Sequence, residues 1–347
     1  MLNLAFIYII LIFLVLRFSV TLFNFLSNPK LGKYGRHFSN QVSVIITGTH
    51  DAEALINMLH ALREQDYQHI EVIVSQPAQY KTNAAVKAIC AADSRFQLRK
   101  KSSFHAEETT GDYILFLEPN VLVHNGLINS LIYRTKVFNL ALLNIIPTQS
   151  VSGIVNYVLL PLSDFVLLNL IPLRLVRLFS SPVFSAGGSE CMFFDAGIYK
   201  AYNWQQKVGR EAPEAMEVVR AVKQEGYKVE TLLGYKLISV PGTRRTNGLF
   251  LKTGQHLLET FGNNIFAAFL YLVLVVAGPL VMLLNYEYSL LILPVGLIFL
   301  SRIMISFLSG QNPVWNVLLH PLQMLFLMGS LITEIYTQLI RLIREKM

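Results

Sequence analysis

Long apolar segments at the start and near the end of the chain constrain its fold more than any other feature. Residues 4–26 are apolar apart from Arg17 and a few small polar side chains, and no small-residue cleavage site follows them. We therefore expect residues 1–27 to form a retained transmembrane anchor. The composition agrees, because 53% of the residues are hydrophobic and only 15% are charged, outside the usual range for a soluble domain.

Three further apolar segments occupy the last third of the chain, and we expect residues 264–347 to form C-terminal membrane helices. Each segment is long enough to cross a hydrocarbon core of about 30 Å. They are residues 265–284, 290–308 and 317–340. Four crossings in all would place the basic C-terminal tail outside the cell, against the positive-inside rule. The alternative is that residues 310–323, which contain Pro313 and Pro321, are interfacial or re-entrant.

The charges beside the first apolar segment predict its orientation. Lys30, Lys33 and Arg36 follow it, and no acidic residue lies between residues 29 and 38. Loops rich in lysine and arginine stay on the cytoplasmic side. We therefore expect an integral protein of a bacterial inner membrane with its main domain, residues 28–263, in the cytoplasm. The net charge of +7 is explained by flanks that face anionic lipid, so we expect no nucleic acid as a partner.

The hydrophilic region alternates between strand and helix patterns. Short apolar runs predict strands, and apolar residues at helical spacing predict the helices between them. The predicted strands are 42–48, 71–75, 96–98 and 113–117, and the predicted helices are 52–64 and 81–92. Such alternation is typical of an α/β domain with a mostly parallel sheet.

Residues 153–179 are strongly apolar, but they do not have the pattern of another span. Two prolines interrupt them, and Asp164, Arg174 and Arg177 add charges. This pattern favours helices that lie in the membrane interface, with the domain resting on the bilayer.

An acidic turn, Glu118-Pro119-Asn120, directly follows the strand predicted at 113–117. In an open α/β sheet the carboxyl ends of the strands face the ligand crevice, and an acid there can hold a cation that neutralises phosphate. Glu118 and Asn120 are therefore the candidate ligands for a Mg²⁺ or Mn²⁺ ion. One carboxylate and one amide make a weaker site than two carboxylates would.

The sequence gives little support for other chemistries. Cys90 and Cys191 lack metal or redox spacing, and we expect both to be core residues. The histidines are scattered, and no phosphate-binding loop, nucleophile elbow or zinc-protease motif occurs. A transporter is disfavoured because the apolar segments show no repeat, and Arg17 and Arg302 are expected to extend to the cytoplasmic interface.

Several phrases of the sequence, in their order, carry a resemblance. They are VSVIITGTHDAE, REQDYQHIEVIV, GDYILFLEPNVLV, FSAGGSECMFFDAGIY and EAMEVVRAVKQEGYKV. With its anchor and C-terminal apolar helices, nearly the whole chain resembles the membrane-anchored branch of the family-2 glycosyltransferases. The resemblance implies a GT-A (nucleotide-diphospho-sugar transferase) fold plus transmembrane α-helices. It also implies hexosyltransferase-like transfer from a nucleotide-sugar donor to a lipid or lipid-linked acceptor, with a metal on the pyrophosphate and a carboxylate as base.

Several residues that the family uses to bind the sugar-nucleotide donor are replaced in this sequence. Asp51 lies just after the first predicted strand, at a position where members of the family contact the nucleotide. Ser75 and Gln76 stand where the family places aspartates for the base and ribose, so a hydroxyl and an amide replace charge-assisted contacts. The family's Asp-x-Asp metal motif falls on Glu118 and Asn120.

The general base is the largest departure from the family pattern. The family's Glu-Asp pair falls on Glu214-Ala215, and a methyl group cannot accept a proton. Glu214 is the candidate displaced base, and Glu211 is near enough to substitute, although both also fit a solvated acidic helix face. Arg244 and Arg245 are candidates for binding a pyrophosphate through bidentate contacts, or alternatively for contacting lipid headgroups.

Two functions therefore stay open, and the sequence does not decide whether the chain is an enzyme. The first is an active membrane-bound glycosyltransferase. The second is a catalytically silent protein of the same fold, acting at the membrane as a partner or scaffold for an active paralogue. Function is decided by the site and not by the fold.

Overall fold

The structure is a computed structural model, and its described residues form two compact units. The first unit comprises residues 1–28, 149–172 and 242–347, and the second comprises residues 29–148 and 173–241. The described residues are 2–35, 37–47, 51–76, 83–100, 108–151, 153–202, 204, 215–241, 249–285 and 288–346.

The elements alternate between strand and helix in the first half of the chain and are mostly helical in the second. The strands are β1 (Val42–Thr47), β2 (Ile70–Gln76), β3 (Phe96–Lys100), β4 (Tyr113–Leu117), β5 (Leu122–Val123), β6 (Leu142–Ile146), β7 (Thr148–Gln149), β8 (Cys191–Asp195), β9 (Val229–Leu233) and β10 (Ile238–Val240). The helices are α1 (Leu2–Ser27), α2 (Ala52–Arg63), α3 (Ala84–Ala92), α4 (Leu127–Phe138), α5 (Ile154–Leu159), α6 (Pro161–Leu170), α7 (Leu173–Leu178), α8 (Ala196–Tyr202), α9 (Ala215–Gln224), α10 (Leu249–Thr260), α11 (Ile265–Asn285, with a π-helical turn at Val273–Ala277), α12 (Tyr288–Ser309), α13 (Pro313–Leu318) and α14 (His320–Lys346).

The second unit is built on a seven-stranded sheet with the order β3-β2-β1-β4-β8-β6-β9 among the described residues. The pairs β1–β2, β1–β4, β2–β3 and β6–β9 are parallel. Only β8 runs against its neighbours, because it is antiparallel to both β4 and β6. The predicted α/β fold with a mostly parallel sheet is therefore confirmed.

The local patterns that predicted this sheet also explain its core. β4 is buried at every position, as expected for a central strand covered on both faces. Leu55, Met58, Leu59 and Leu62 are the buried residues of α2, and their spacing of three and four residues places them on one helix face. The four predicted strands and two predicted helices all occur, with small differences at their ends.

A buried carboxylate joins α4 and α7 to the edge strand β9. Glu230 in β9 is 0% exposed. Arg134 donates from Nε to Glu230 Oε2 at 2.6 Å and from Nη2 to Oε1 at 2.7 Å. Arg177 and Arg174 of α7 donate to the same Oε1 at 3.0 and 3.3 Å. The ring of Phe138 packs against the guanidinium groups of Arg134 and Arg177. Three cations thus compensate one carboxylate that water does not reach.

We predict that Glu230→Gln lowers the free energy of unfolding by about 3 to 5 kcal/mol, because the three arginines lose their shared counter-charge. The measurement is the thermal unfolding midpoint of the full chain in detergent. Glu64→Gln is the matched control, since Glu64 is exposed at the end of α2. Equal midpoints for the two variants would contradict the prediction.

The first unit contains three helices, among the described residues, that are long and apolar enough to cross a membrane. They are Ala5–Ser27, Ile265–Asn285 and Leu291–Ser309. They correspond to three of the four predicted membrane segments. Residues 317–340, the fourth predicted segment, are divided between α13 and α14, and α14 is more polar because it carries residues such as Gln323 and Glu334.

The helices α5 and α6 belong to the first unit. α6 packs against α1, α10 and α12, and its Asp164 and Asn169 are buried there. The placement of residues 153–179 in the membrane interface stays a prediction, as does the assignment of residues 28–263 to one cytosolic domain.

Candidate functional site

The carboxyl ends of the parallel strands meet at one edge of the sheet, which is where open α/β sheets bind their ligands. β1, β2, β4 and β6 all end at this edge. Because β8 runs the other way, it begins there. The segment that leads into β8 is Gly187-Gly188-Ser189-Glu190, which we call the Gly-Ser turn. The edge therefore brings the acidic turn after β4 to the Gly-Ser turn before β8.

Glu118 and Glu190 lie opposite each other at this edge. The Glu118 N–H donates to the Glu190 carbonyl oxygen at 3.1 Å, which continues the register that pairs Leu117 with Cys191. Opposed residues of an antiparallel pair have Cβ atoms about 4.5 to 5.5 Å apart and side chains on the same face. Ser189 Oγ also donates to Glu118 Oε1. Two partly exposed glutamates thus occupy opposed backbone positions, and a hydroxyl is bound to the carboxylate of one of them.

A buried amide fixes the Gly-Ser turn onto the sheet. Asn144 in β6 donates from Nδ2 to the Gly188 carbonyl oxygen at 2.7 Å, and its Oδ1 accepts from the Gly188 N–H at 2.9 Å. Thr231 in β9 donates from Oγ1 to the Ala186 carbonyl oxygen at 2.6 Å. The turn and the residue before it are therefore held by hydrogen bonds from β6 and β9, which sets the position of Ser189 and Glu190.

The position that the resemblance gives to the general base lies beside the same turn. Ala215 is the first residue of α9 and is 6% exposed. A Cβ atom added at Gly187 would lie 3.5 Å from the Ala215 carbonyl oxygen and 3.1 Å from the Val219 side chain. Glycine at position 187 thus lets α9 approach the turn closely. The candidate bases, Glu214 and Glu211, lie outside the described residues.

The candidate nucleotide ligands at the ends of β1 and β2 have different surroundings. Asp51 is exposed and caps α2, because its Oδ1 accepts from the Ala54 N–H at 3.1 Å. Ser75 is buried in β2 and pairs with Thr47 of β1. The side chain of Gln76, and all of Arg244 and Arg245, lie outside the described residues. The position of Asp51 after a strand did not predict that its side chain caps a helix.

The side chains at this edge suit a hard divalent ion whose coordination is completed by the phosphate oxygens of a bound ligand. Within the described part of the chain, no group of three or more His, Cys, Asp or Glu side chains is placed to hold a metal. Mg²⁺ is commonly held by one or two protein carboxylates, with phosphate oxygens and water completing its shell. Glu118 and Glu190 supply that number, and the neutral side chain of Asn120 stands in the same turn as Glu118.

Ser189 and Glu190 are candidate site residues that the sequence reasoning missed. The strand that follows Glu190 was not predicted, and an acid directly before a strand that runs parallel to its neighbours would stand at the far edge of the sheet. The available signal was the pair of glycines followed by Ser189 and Glu190 ahead of an apolar run.

The titratable side chains of Cys191 and Lys223 are buried near the Gly-Ser turn. Burial raises the pKa of the Cys191 thiol, which disfavours the reactive thiolate. Cys191 is buried in the core, as predicted, while Cys90 is partly buried against it. Lys223 of α9 donates to the carbonyl oxygens of Phe179, at 3.0 Å, and Phe184. Burial lowers the pKa of Lys223 to about 8.

Comparison with known proteins supports the fold. The sequence matches no protein-family model and no curated protein. The structure is similar to the mannosyltransferase PcManGT from Pyrobaculum calidifontis, solved in complex with GDP-Man and Mn²⁺. The TM-score is 0.55 at 13% identity, over 96% of this chain and 99% of that chain. TarS 1-349 from S. aureus is also similar, at a TM-score of 0.39 and 12% identity over 85% of this chain and 89% of that one. The chain therefore has a GT-A-like glycosyltransferase fold.

Proposed function

We propose that the chain binds a nucleotide diphosphate sugar at the carboxyl edge of its sheet and transfers the sugar to a lipid or lipid-linked acceptor. The observation that carries this proposal is the pairing of Glu118 with Ser189 and Glu190 at that edge. A neighbour of the same fold, covering 96% of this chain, was solved with GDP-Man and Mn²⁺. Two glutamates at opposed positions suit the same kind of ligand, a diphosphate bound together with a divalent ion.

The donor would be bound mainly through its diphosphate. Glu118 and Glu190 would hold a Mg²⁺ or Mn²⁺ ion, and that ion would neutralise charge on the diphosphate as it leaves. Without a cation, two carboxylates would repel the diphosphate. Asp51, Ser75 and Gln76 are proposed to contact the nucleoside, and Arg244 and Arg245 to contact the diphosphate or a lipid headgroup.

Transfer to a lipid alcohol requires a proton acceptor. The acceptor oxygen attacks the anomeric carbon, the bond from that carbon to the diphosphate oxygen breaks, and the hydroxyl proton passes to a carboxylate. One such displacement inverts the anomeric centre. Ala215 cannot take the proton, so we propose Glu214, its neighbour in the chain, as the base and Glu211 as the substitute.

The proposed site predicts metal-dependent nucleotide binding. UDP, GDP or ADP with MnCl₂ should raise the thermal midpoint of the full chain, by the equivalent of about 2.7 kcal/mol at a hundredfold excess over the dissociation constant. Glu118→Gln and Glu190→Gln should each remove most of the part that depends on manganese. Asn120→Asp should increase it by adding a hard carboxylate.

Glu64→Gln is the matched control for these variants and should keep the full manganese-dependent shift, since Glu64 is exposed at the end of α2. A manganese-dependent shift that survives in Glu190→Gln would remove Glu190 from the site.

The proposed base predicts how turnover responds to substitution. Release of nucleoside diphosphate from a panel of sugar nucleotides, in vesicles containing total lipid extract, should fall by about 10² to 10⁴ in Glu214→Gln. Nucleotide binding should be unchanged in this variant, which separates catalysis from donor affinity. Wild-type turnover no faster than that of the Glu118→Gln, Glu214→Gln double variant would indicate the catalytically silent protein instead.

We also propose that the protein lies in a bacterial inner membrane with the second unit in the cytoplasm, supported by Lys30 and Lys33 after α1. Lys87 is exposed in α3, so Lys87→Cys in a Cys90→Ser background supplies a surface thiol. A membrane-impermeant maleimide should label it only after the cells are permeabilised. Labelling in intact spheroplasts would show the opposite orientation.

A further inference from the structure

Two arginines are buried inside the helical bundle of the first unit. Arg17 in α1 is 8% exposed and Arg302 in α12 is 1% exposed. Neighbouring helices therefore enclose both side chains, and their extension to the cytoplasmic interface stays a prediction. Both guanidinium groups lie against the ring of Phe165 in α6, with Cζ 5.2 Å (Arg17) and 4.5 Å (Arg302) from the ring centre. Ionisable groups enclosed among apolar helices of this kind are costly and commonly mark function.

These buried groups carry donors that find no acceptor among the described residues. Arg17 makes one hydrogen bond there, from Nε to Asn169 Oδ1 at 2.8 Å. Arg302 donates to Gln323 and Asn316, but its Nη1 has no partner within the described chain. Two neighbouring polar atoms that are buried share this condition. They are His320 Nδ1, whose ring contacts Phe165, and the hydroxyl of Tyr271, whose ring lies under Arg17.

The charges around Phe165 do not balance within the described residues. Asp164 of α6 is buried and accepts from Gln311 Nε2 at 2.7 Å, so it supplies one negative charge. The other buried acid of the described bundle, Glu334, lies about 21 Å further along α14 than His320. Two arginines thus face one nearby carboxylate. An uncompensated cation in an apolar bundle is unfavourable unless an anion joins it.

A cavity lies directly beside Arg17. Its volume is about 60 Å³, and one water molecule needs about 10 to 15 Å³ by the same kind of measure. The cavity therefore has room for a small anionic group. Its polar lining comes from Arg17, Asn169, Ser301 and His320. The rest is the ring of Phe165 and apolar side chains from α1, α11 and α12. All three of these helices are long and apolar enough to cross a membrane.

We propose that this cavity binds a phosphate group through the Nη atoms of Arg17, which make no hydrogen bond within the described residues. Guanidinium and phosphate match in geometry and charge, and both Nη atoms of Arg17 can donate to phosphate oxygens. The surrounding helices are long and apolar enough to cross a membrane, so a membrane lipid that carries the phosphate and a free phosphate ion are both sources of this group. The site contains no nucleotide, so the inference does not depend on the proposed transfer reaction.

The test compares three probes on the purified full chain in a neutral detergent. Dioleoyl phosphatidic acid supplies a lipid phosphate, dioleoylglycerol supplies the same chains without phosphate, and inorganic phosphate supplies the anion alone. We expect phosphatidic acid to raise the thermal unfolding midpoint by about 5 °C near saturation, and dioleoylglycerol to have no effect. A shift of the same size with inorganic phosphate would assign the site to the free anion.

Variants at Arg17 locate the effect. Arg17→Gln should abolish the phosphatidic acid shift, and Arg17→Lys should keep part of it because an ammonium still attracts phosphate as a point charge. Arg63→Gln removes an exposed arginine of α2 and should keep the full shift. Equal shifts with phosphatidic acid and dioleoylglycerol, or a full shift in Arg17→Gln, would overturn the proposal. Should Arg17→Gln fail to fold, native mass spectrometry of the wild type with the two lipids decides, since the proposal requires selective retention of phosphatidic acid.

Discussion

The insertion of one antiparallel strand between two parallel ones is the constraint on which the candidate site depends. β8 pairs with β4 and β6, so its first residues stand at the edge where the other strands end. The backbone hydrogen bond from Glu118 to Glu190 then places the two glutamates at opposed backbone positions. Asn144 holds the intervening turn from within β6. A parallel β8 would have carried Glu190 to the opposite edge of the sheet and left Glu118 alone.

Buried charges are compensated differently in the two units. In the second unit, three arginines surround Glu230 with direct hydrogen bonds, so the charge is satisfied by the protein itself and the cluster is structural. In the first unit, Arg17 makes a hydrogen bond only to an amide among the described residues, and it faces a cavity. The same physical requirement therefore predicts a closed ion cluster in one place and an anion ligand in the other.

The sequence predicted what local patterns encode. Tyr113–Leu117 is a strand because it is uniformly apolar between turn residues, and α2 follows from the spacing of its buried leucines. β8 was not among the predicted strands, and the apolar character of Cys191–Asp195 would not have indicated its direction. Glu190 therefore could not be matched to Glu118, far away in the chain. The burial of Arg17 was missed for a similar reason, because a single arginine in an apolar helix looks alike whether it faces lipid or another helix.

The central claim is that Glu118 and Glu190 form one cation site at the carboxyl edge of the sheet. The most direct test is a crystal structure of the full chain with MnCl₂ and a nucleoside diphosphate, using the anomalous signal of manganese. The account predicts a manganese peak bonded to carboxylate oxygens of both residues and to the diphosphate. A manganese ion bound to the diphosphate with no ligand from Glu118 or Glu190 would contradict it.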